Sequence, residues 1–106
     1  MSGRFMRVLL FFDLPTISSD DRKNYRKFHK FLKDEGFFML QESVYTKLVL
    51  NGTNANLMKN KINKNLPPTG VIHTLVITEK QFSQMEILIE KKCYKTEDSL
   101  ERMIVL

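Results

Sequence analysis

Apolar positions along the chain follow two rhythms, and the places where one gives way to the other mark out a regular order of elements. Arg4 to Asp13 is rich in Val, Leu and Phe without clear alternation, as expected of a central strand covered on one or both faces. Pro15 stops that ladder. Ser18, Ser19 or Asp20 then caps a helix that runs to about Glu35, with Gly36 as its terminator. At about 100° per residue, Tyr25, Phe28, Phe31 and Leu32 share one stripe, the face that packs on a sheet. Phe37 to Leu50 is long for one strand. Its polar break Gln41-Glu42-Ser43 predicts a short strand, a bend or bulge, and a further strand from Val44 to Leu50. Asn51-Gly52-Thr53-Asn54 supplies turn residues and a cap. Ala55, Met58, Ile62 and Leu66 recur at the spacing of one buried helical face, and Pro67 to Gly70 ends this second helix. Val71 to Thr78 is β-branched and reads as another strand. Beyond it the pattern predicts one helical turn over Glu79 to Gln84, a short strand from Met85 to Glu90, and a loop from Lys91 to Ser99.

The order strand, helix, strand, strand, helix, strand defines an α+β chain of ferredoxin-like βαββαβ arrangement, with two helices on one face of an antiparallel sheet. At 106 residues, the span 1–106 is expected to form a single domain. The opposite sheet face then exposes an apolar patch that demands a partner. The carboxyl end is apolar to its last residue, so an extra strand over about 100–106 is expected to pair across a homodimer, with Met103, Ile104, Val105 and Leu106 at the interface.

Charge changes the picture. Lys and Arg number 17 against 12 Asp and Glu, a formal net charge of +5, which attracts polyanions, nucleic acid foremost. From Arg22 to Lys33, six of twelve residues are Lys or Arg. Arg22, Arg26 and Lys33 group along one flank of the helix, and Lys23, Lys27 and Lys30 continue round the outside, with Asp34 as the nearest acid. Ser43 to Thr78 contains no acidic residue, so the positive field extends past that helix. Cys93 is the single cysteine, which excludes a disulfide within one protomer, and no Cys and His cluster has zinc-site spacing. A reducing, cytoplasmic setting is the expectation. No apolar segment approaches the roughly 20 residues of a membrane span, and the short amino-terminal stretch ending at Asp13-Leu14-Pro15 reads as a core strand rather than a leader.

Several segments together resemble a known family, the small CRISPR-associated protein that works beside the integrase subunit in spacer acquisition. They are Phe12-Asp13-Leu14-Pro15, Asp21-Arg22-Lys23-Asn24-Tyr25-Arg26-Lys27-Phe28, Glu35-Gly36-Phe37 and Ser43-Val44-Tyr45. Thr78-Glu79-Lys80-Gln81-Phe82 and Glu101-Arg102-Met103-Ile104-Val105-Leu106 resemble the type II-A branch in particular. The resemblance implies a ferredoxin-like homodimer that bridges integrase dimers and holds the prespacer duplex. It also implies a Cas9-type effector and a ring-shaped DNA-end-binding accessory protein as further partners. Some relatives are described as metal-dependent nucleases, and for them the aspartate matching Asp13 is the proposed Mg²⁺ ligand, paired with its symmetry mate.

Asp13 is the one carboxylate that the sequence isolates for catalysis. Mg²⁺ is held by one or two carboxylates together with waters and substrate phosphates, so a symmetric pair of Asp13 side chains suits it as an endonuclease site acting on RNA or DNA. The competing reading is an aspartate that accepts backbone N–H bonds in the turn before Pro15. A protein that takes varied spacers needs backbone contacts rather than base readout, which makes Arg22, Arg26, Lys30 and Lys33 the first candidates for phosphate, with Arg4 and Arg7 near the sheet edge. His29, His73, Tyr25 and Tyr45 read as packing residues. Cys93 has no activating neighbour in the sequence.

Overall fold

The computed structural model describes residues 5–91. Strand β1 (Met6–Asp13) lies between β3 (Val44–Val49) and β4 (Val71–Thr78), and β2 (Phe38–Gln41) pairs with the far side of β3, giving the antiparallel order β2-β3-β1-β4. Helix α1 (Ser19–Asp34) joins β1 to β2, α2 (Gly52–Asn63) joins β3 to β4, and α3 (Glu79–Ser83) follows β4. This is the expected ferredoxin-like arrangement. The expected bend falls at a register shift between Met39 and Gln41.

The core forms where Val8, Leu10 and Phe12 of β1 meet Phe28 and Leu32 of α1 and Ala55, Met58 and Ile62 of α2. Phe12 is its hub, with ring centroids 5.9 Å from Tyr25, 6.3 Å from Phe28 and 5.5 Å from Tyr45. Among the expected caps of α1, Ser18 is the one used. Its hydroxyl accepts from the Asp21 N–H while the Asp21 carboxylate accepts from the Ser18 N–H, so two donors at the helix start are satisfied reciprocally. At the other end Phe37 N–H closes on the Leu32 carbonyl, and Gly36 takes φ +93°, a conformation that other residues resist. Lys47 of β3 donates from Nζ to the Glu35 carbonyl, placing a cation where the helix dipole ends.

Two expectations fail here. Met85 to Glu90 is not a strand: the α3 turn carries the chain off β4, and Leu88 is left 85% exposed with no neighbouring strand to complete a ladder among the described residues. Leu66 does not extend the buried stripe of α2, because the helix stops at Asn63 and Leu66 sits exposed in the turn before Pro67. Arg4, Cys93, the strand over 100–106 and its residues Met103, Ile104, Val105 and Leu106 lie outside the described residues. Among the described residues, no helix is long and apolar enough to cross a membrane.

Candidate nucleic-acid interface and carboxylate site

Asp13 ends β1, its Cα opposite Val71 of β4. Successive strand residues point to opposite faces, and Val8, Leu10 and Phe12 face the helices, so Asp13 shares the outer sheet face with Leu9 and Phe11. Its carboxylate is exposed and accepts no hydrogen bond among the described residues, contrary to the reading in which it braces the turn before Pro15. What fixes the turn is Gly70 in the α2–β4 connection. A Cβ there would lie 2.5 Å from Leu14 Cδ2 and 3.0 Å from the Asp13 carbonyl, and its φ is +114°. The carboxylate itself is open to solvent at the end of the central strand. Among the described residues no group of three His, Cys, Asp or Glu side chains stands together as a metal set. One protomer therefore offers Mg²⁺ a single carboxylate, fewer protein oxygens than a site with two.

The same outer face carries exposed Phe11 on β1, Phe38 on β2, Leu48 on β3 and Leu75 on β4; Phe38 and Leu75 are 54% and 52% exposed. Exposed apolar side chains thus occur on all four strands of this face, around Leu9 and Thr46, which are buried.

On the opposite side of the molecule, the expected cations of α1 have different fates. Arg22 turns back on the loop that leads into the helix, donating from Nη1 to the carbonyls of Ile17 at 2.7 Å and Thr16 at 3.3 Å. Lys30 pairs with Asp34 at 2.9 Å, and that hydrogen bond, then the carboxylate charge, raises the Lys30 pKa. Arg26 and Lys33 are exposed and without a carboxylate partner among the described residues, as are Lys23 and Lys27. Thr16, Arg22, Tyr25 and Arg26 line a shallow hollow of about 260 Å³. Thr16 carries no sequence signal for this role; the four-residue spacing of Arg22 and Arg26 is the part that was readable.

Arg7 is placed elsewhere. It is 8% exposed, its Nε and Nη2 donate to Glu79 Oε1 and Oε2 at 2.8 and 2.7 Å, and its guanidinium carbon lies 4.1 Å from the centre of the Phe82 ring. That cation is committed to holding α3 against β1, which corrects its expected role as a phosphate contact. Arg7's hydrogen bonds in turn keep the Glu79 carboxyl below its usual range.

His29 and Tyr45 are packing residues with a polar link. Tyr45 is almost fully buried, burial and then Tyr25 push its pKa up, and its oxygen lies 2.5 Å from His29 Nδ1. That hydrogen bond ties α1 to β3 at the boundary of the core.

A strand ending in a lone carboxylate, a cationic first helix and a ferredoxin-like sheet coincide with a family model: the one described as "CRISPR associated protein Cas2" matches residues 6–85. The chain belongs to the CRISPR-associated Cas2 family. Relatives named CRISPR-associated endoribonuclease Cas2 come from Treponema denticola, 48% identical over 95% of this chain and 100% of that protein, and from Ligilactobacillus salivarius, 44% identical over the same shares. A third, from Streptococcus mutans, is 44% identical over 95% of this chain and 93% of its own. A solved structure described as "Crystal structure of cas2" superposes with a TM-score of 0.56 at 16% identity, covering 87% of this chain and 97% of that one, a likeness of fold.

Proposed function

We propose that this Cas2-family protein is the homodimeric bridging subunit of a CRISPR spacer-acquisition complex, of type II-A, gripping the prespacer duplex by its phosphates beside the integrase subunit. The observation that carries the reading is the outer strip of α1, where Lys23, Arg26, Lys27 and Lys33 are exposed without acidic partners among the described residues. A helix whose charges served only hydration would mix signs, whereas unpaired cations in a row suit a polyanion of uniform backbone. Arg22 and Arg26 seat one phosphate in the hollow beside Thr16, with Arg22 already oriented by its bonds to the loop carbonyls. Lys30 joins them by exchanging Asp34 for phosphate. The open apolar sheet face supports the dimer, since a second copy laid against it removes Phe11, Phe38 and Leu75 from water.

A second reading is favoured by the free carboxylate of Asp13 and by the relatives' name, endoribonuclease. Dimerisation through the outer face gives two Asp13 carboxylates one shared side of the assembly, and together they supply the two-carboxylate set that Mg²⁺ accepts. The metal would activate water for attack on a phosphodiester. The deciding experiment is integration of a duplex into a repeat array by the copurified integrase, with and without this protein and with Asp13→Ala. The bridging role requires integration that depends on the protein and survives Asp13→Ala. Integration abolished by that substitution, in a complex that still assembles, refutes it. RNA or DNA cleavage stopped by EDTA and by Asp13→Ala establishes the nuclease reading.

A further inference from the structure

A groove of about 630 Å³ runs between α2 and the end of β3, from Lys47 to Leu50. Three of its properties belong together. First, β2 pairs with β3 only at Val44, Tyr45 and Thr46, so from Lys47 to Val49 that edge has no neighbouring strand among the described residues and leaves backbone donors and acceptors open. Second, the groove is apolar at Leu50 and Leu57, which are 57% and 60% exposed. Third, its rim is cationic. Lys47 donates to the Glu35 carbonyl, Lys61 holds the Glu35 carboxylate at 3.0 Å, and Lys64 has no acidic partner among the described residues.

We propose that this groove docks an extended peptide segment of a protein partner, rich in both apolar and acidic side chains, which adds a strand to the free edge of β3. The main chain of such a segment bonds to the open edge. One row of its side chains enters the groove beside Leu50 and Leu57, and its carboxylates reach Lys61 and Lys64. Nucleic acid fits less well, because phosphates gain nothing from the exposed leucines. A second copy of this chain in a twofold contact would set the lysine rim against itself. The groove is built from β3 and α2 and meets α1 only at its Glu35 cap, so the proposal uses neither Arg22 and Arg26 nor Asp13.

The test uses the full chain and a fluorescein-labelled peptide of about seven residues, a typical strand length, in which leucine and glutamate take turns at every second position with threonine between them, so that one row of side chains carries both into the groove, followed by fluorescence polarisation. Saturable binding is expected, weakened at least tenfold by Leu57→Glu, by the milder Leu57→Gln to a smaller extent, and by a proline at the peptide's centre. Lys64→Glu should weaken the glutamate peptide and strengthen a leucine–lysine one. Circular dichroism confirms that each variant is folded. No saturable binding, equal affinity for the proline peptide, or affinity unchanged in folded Leu57→Glu overturns the proposal. Loss of duplex DNA affinity in Leu57→Glu also overturns it, since nucleic acid would then be the occupant.

Discussion

Glu79→Gln keeps the shape of the side chain facing Arg7 and removes its charge. In the native pair both carboxylate oxygens accept from a guanidinium that is almost wholly buried, at 2.8 and 2.7 Å. Hydrogen bonds to charged groups contribute about 1.5–3 kcal/mol, and removing one member of a fully buried pair costs about 3–5 kcal/mol. Here the Glu79 side chain is 35% exposed, so water takes up part of the loss, and glutamine still accepts one of the two bonds. A destabilisation of about 2 kcal/mol follows. With a urea slope of about 1.5 kcal/mol/M, the unfolding midpoint falls by about 1.3 M, compared at equal protomer concentration because self-association adds to stability. The acid limb is a second check. Arg7's hydrogen bonds hold Glu79 below its ordinary value of 4.5, so the native state binds this proton less readily than the unfolded chain. The charged carboxylate's contribution is therefore complete above the unfolded pKa and is lost as pH falls through the lower folded one. The gap between the two proteins should hold from neutral pH to the ordinary carboxylate range and close below it. A midpoint shift under about 0.3 M at neutral pH, or a gap undiminished well into acid, refutes the reasoning.

Arg26→Glu combined with Lys33→Glu should weaken duplex binding and flatten the slope of log affinity against log salt by about 1.8 if two phosphates are lost, measured by anisotropy titrations at several salt concentrations. Leu75→Asp should convert the proposed dimer into a monomer in sedimentation runs while the circular dichroism spectrum persists, because it charges an exposed apolar position of the outer sheet face, on the edge strand β4. Gly70→Ala should lower stability by about 1–3 kcal/mol, read as a drop in Tm, since the backbone is at φ +114° and the new methyl meets Leu14.

Elements whose signals are local were legible in the sequence. Ser18, Gly36 and the α1 stripe depend on residues three or four positions apart, and the bend at Gln41 announces itself by polar residues inside an apolar run. Signals that depend on a distant partner were not. Arg7 reads as a surface cation until Glu79, 72 positions away, is brought beside it. Met85 to Glu90 has the composition of a strand, but a strand needs an edge to bond to, and composition does not carry that information. Of the site residues, the cations of α1 were legible as a group because helical spacing sets which share a flank. Which of them already had a protein partner depended on side-chain contacts: Arg22 on the loop carbonyls, Lys30 on Asp34. The close passage of the α2–β4 connection against Leu14 and the Asp13 carbonyl, made possible by Gly70, likewise depended on a contact between distant residues.

β1 is bracketed by β3 on one side and β4 on the other along most of its length, so its amides should exchange with deuterated water among the slowest in the chain. The α1 cations ride instead on flexible side chains. Under the proposed function, substitutions of those cations should retune adhesion to a polyanion and leave the position of the Asp13 carboxylate unaltered, and changes at Asp13 should leave adhesion intact. Under the two proposed readings, holding and cutting would be separable traits, each open to gain or loss without rebuilding the other.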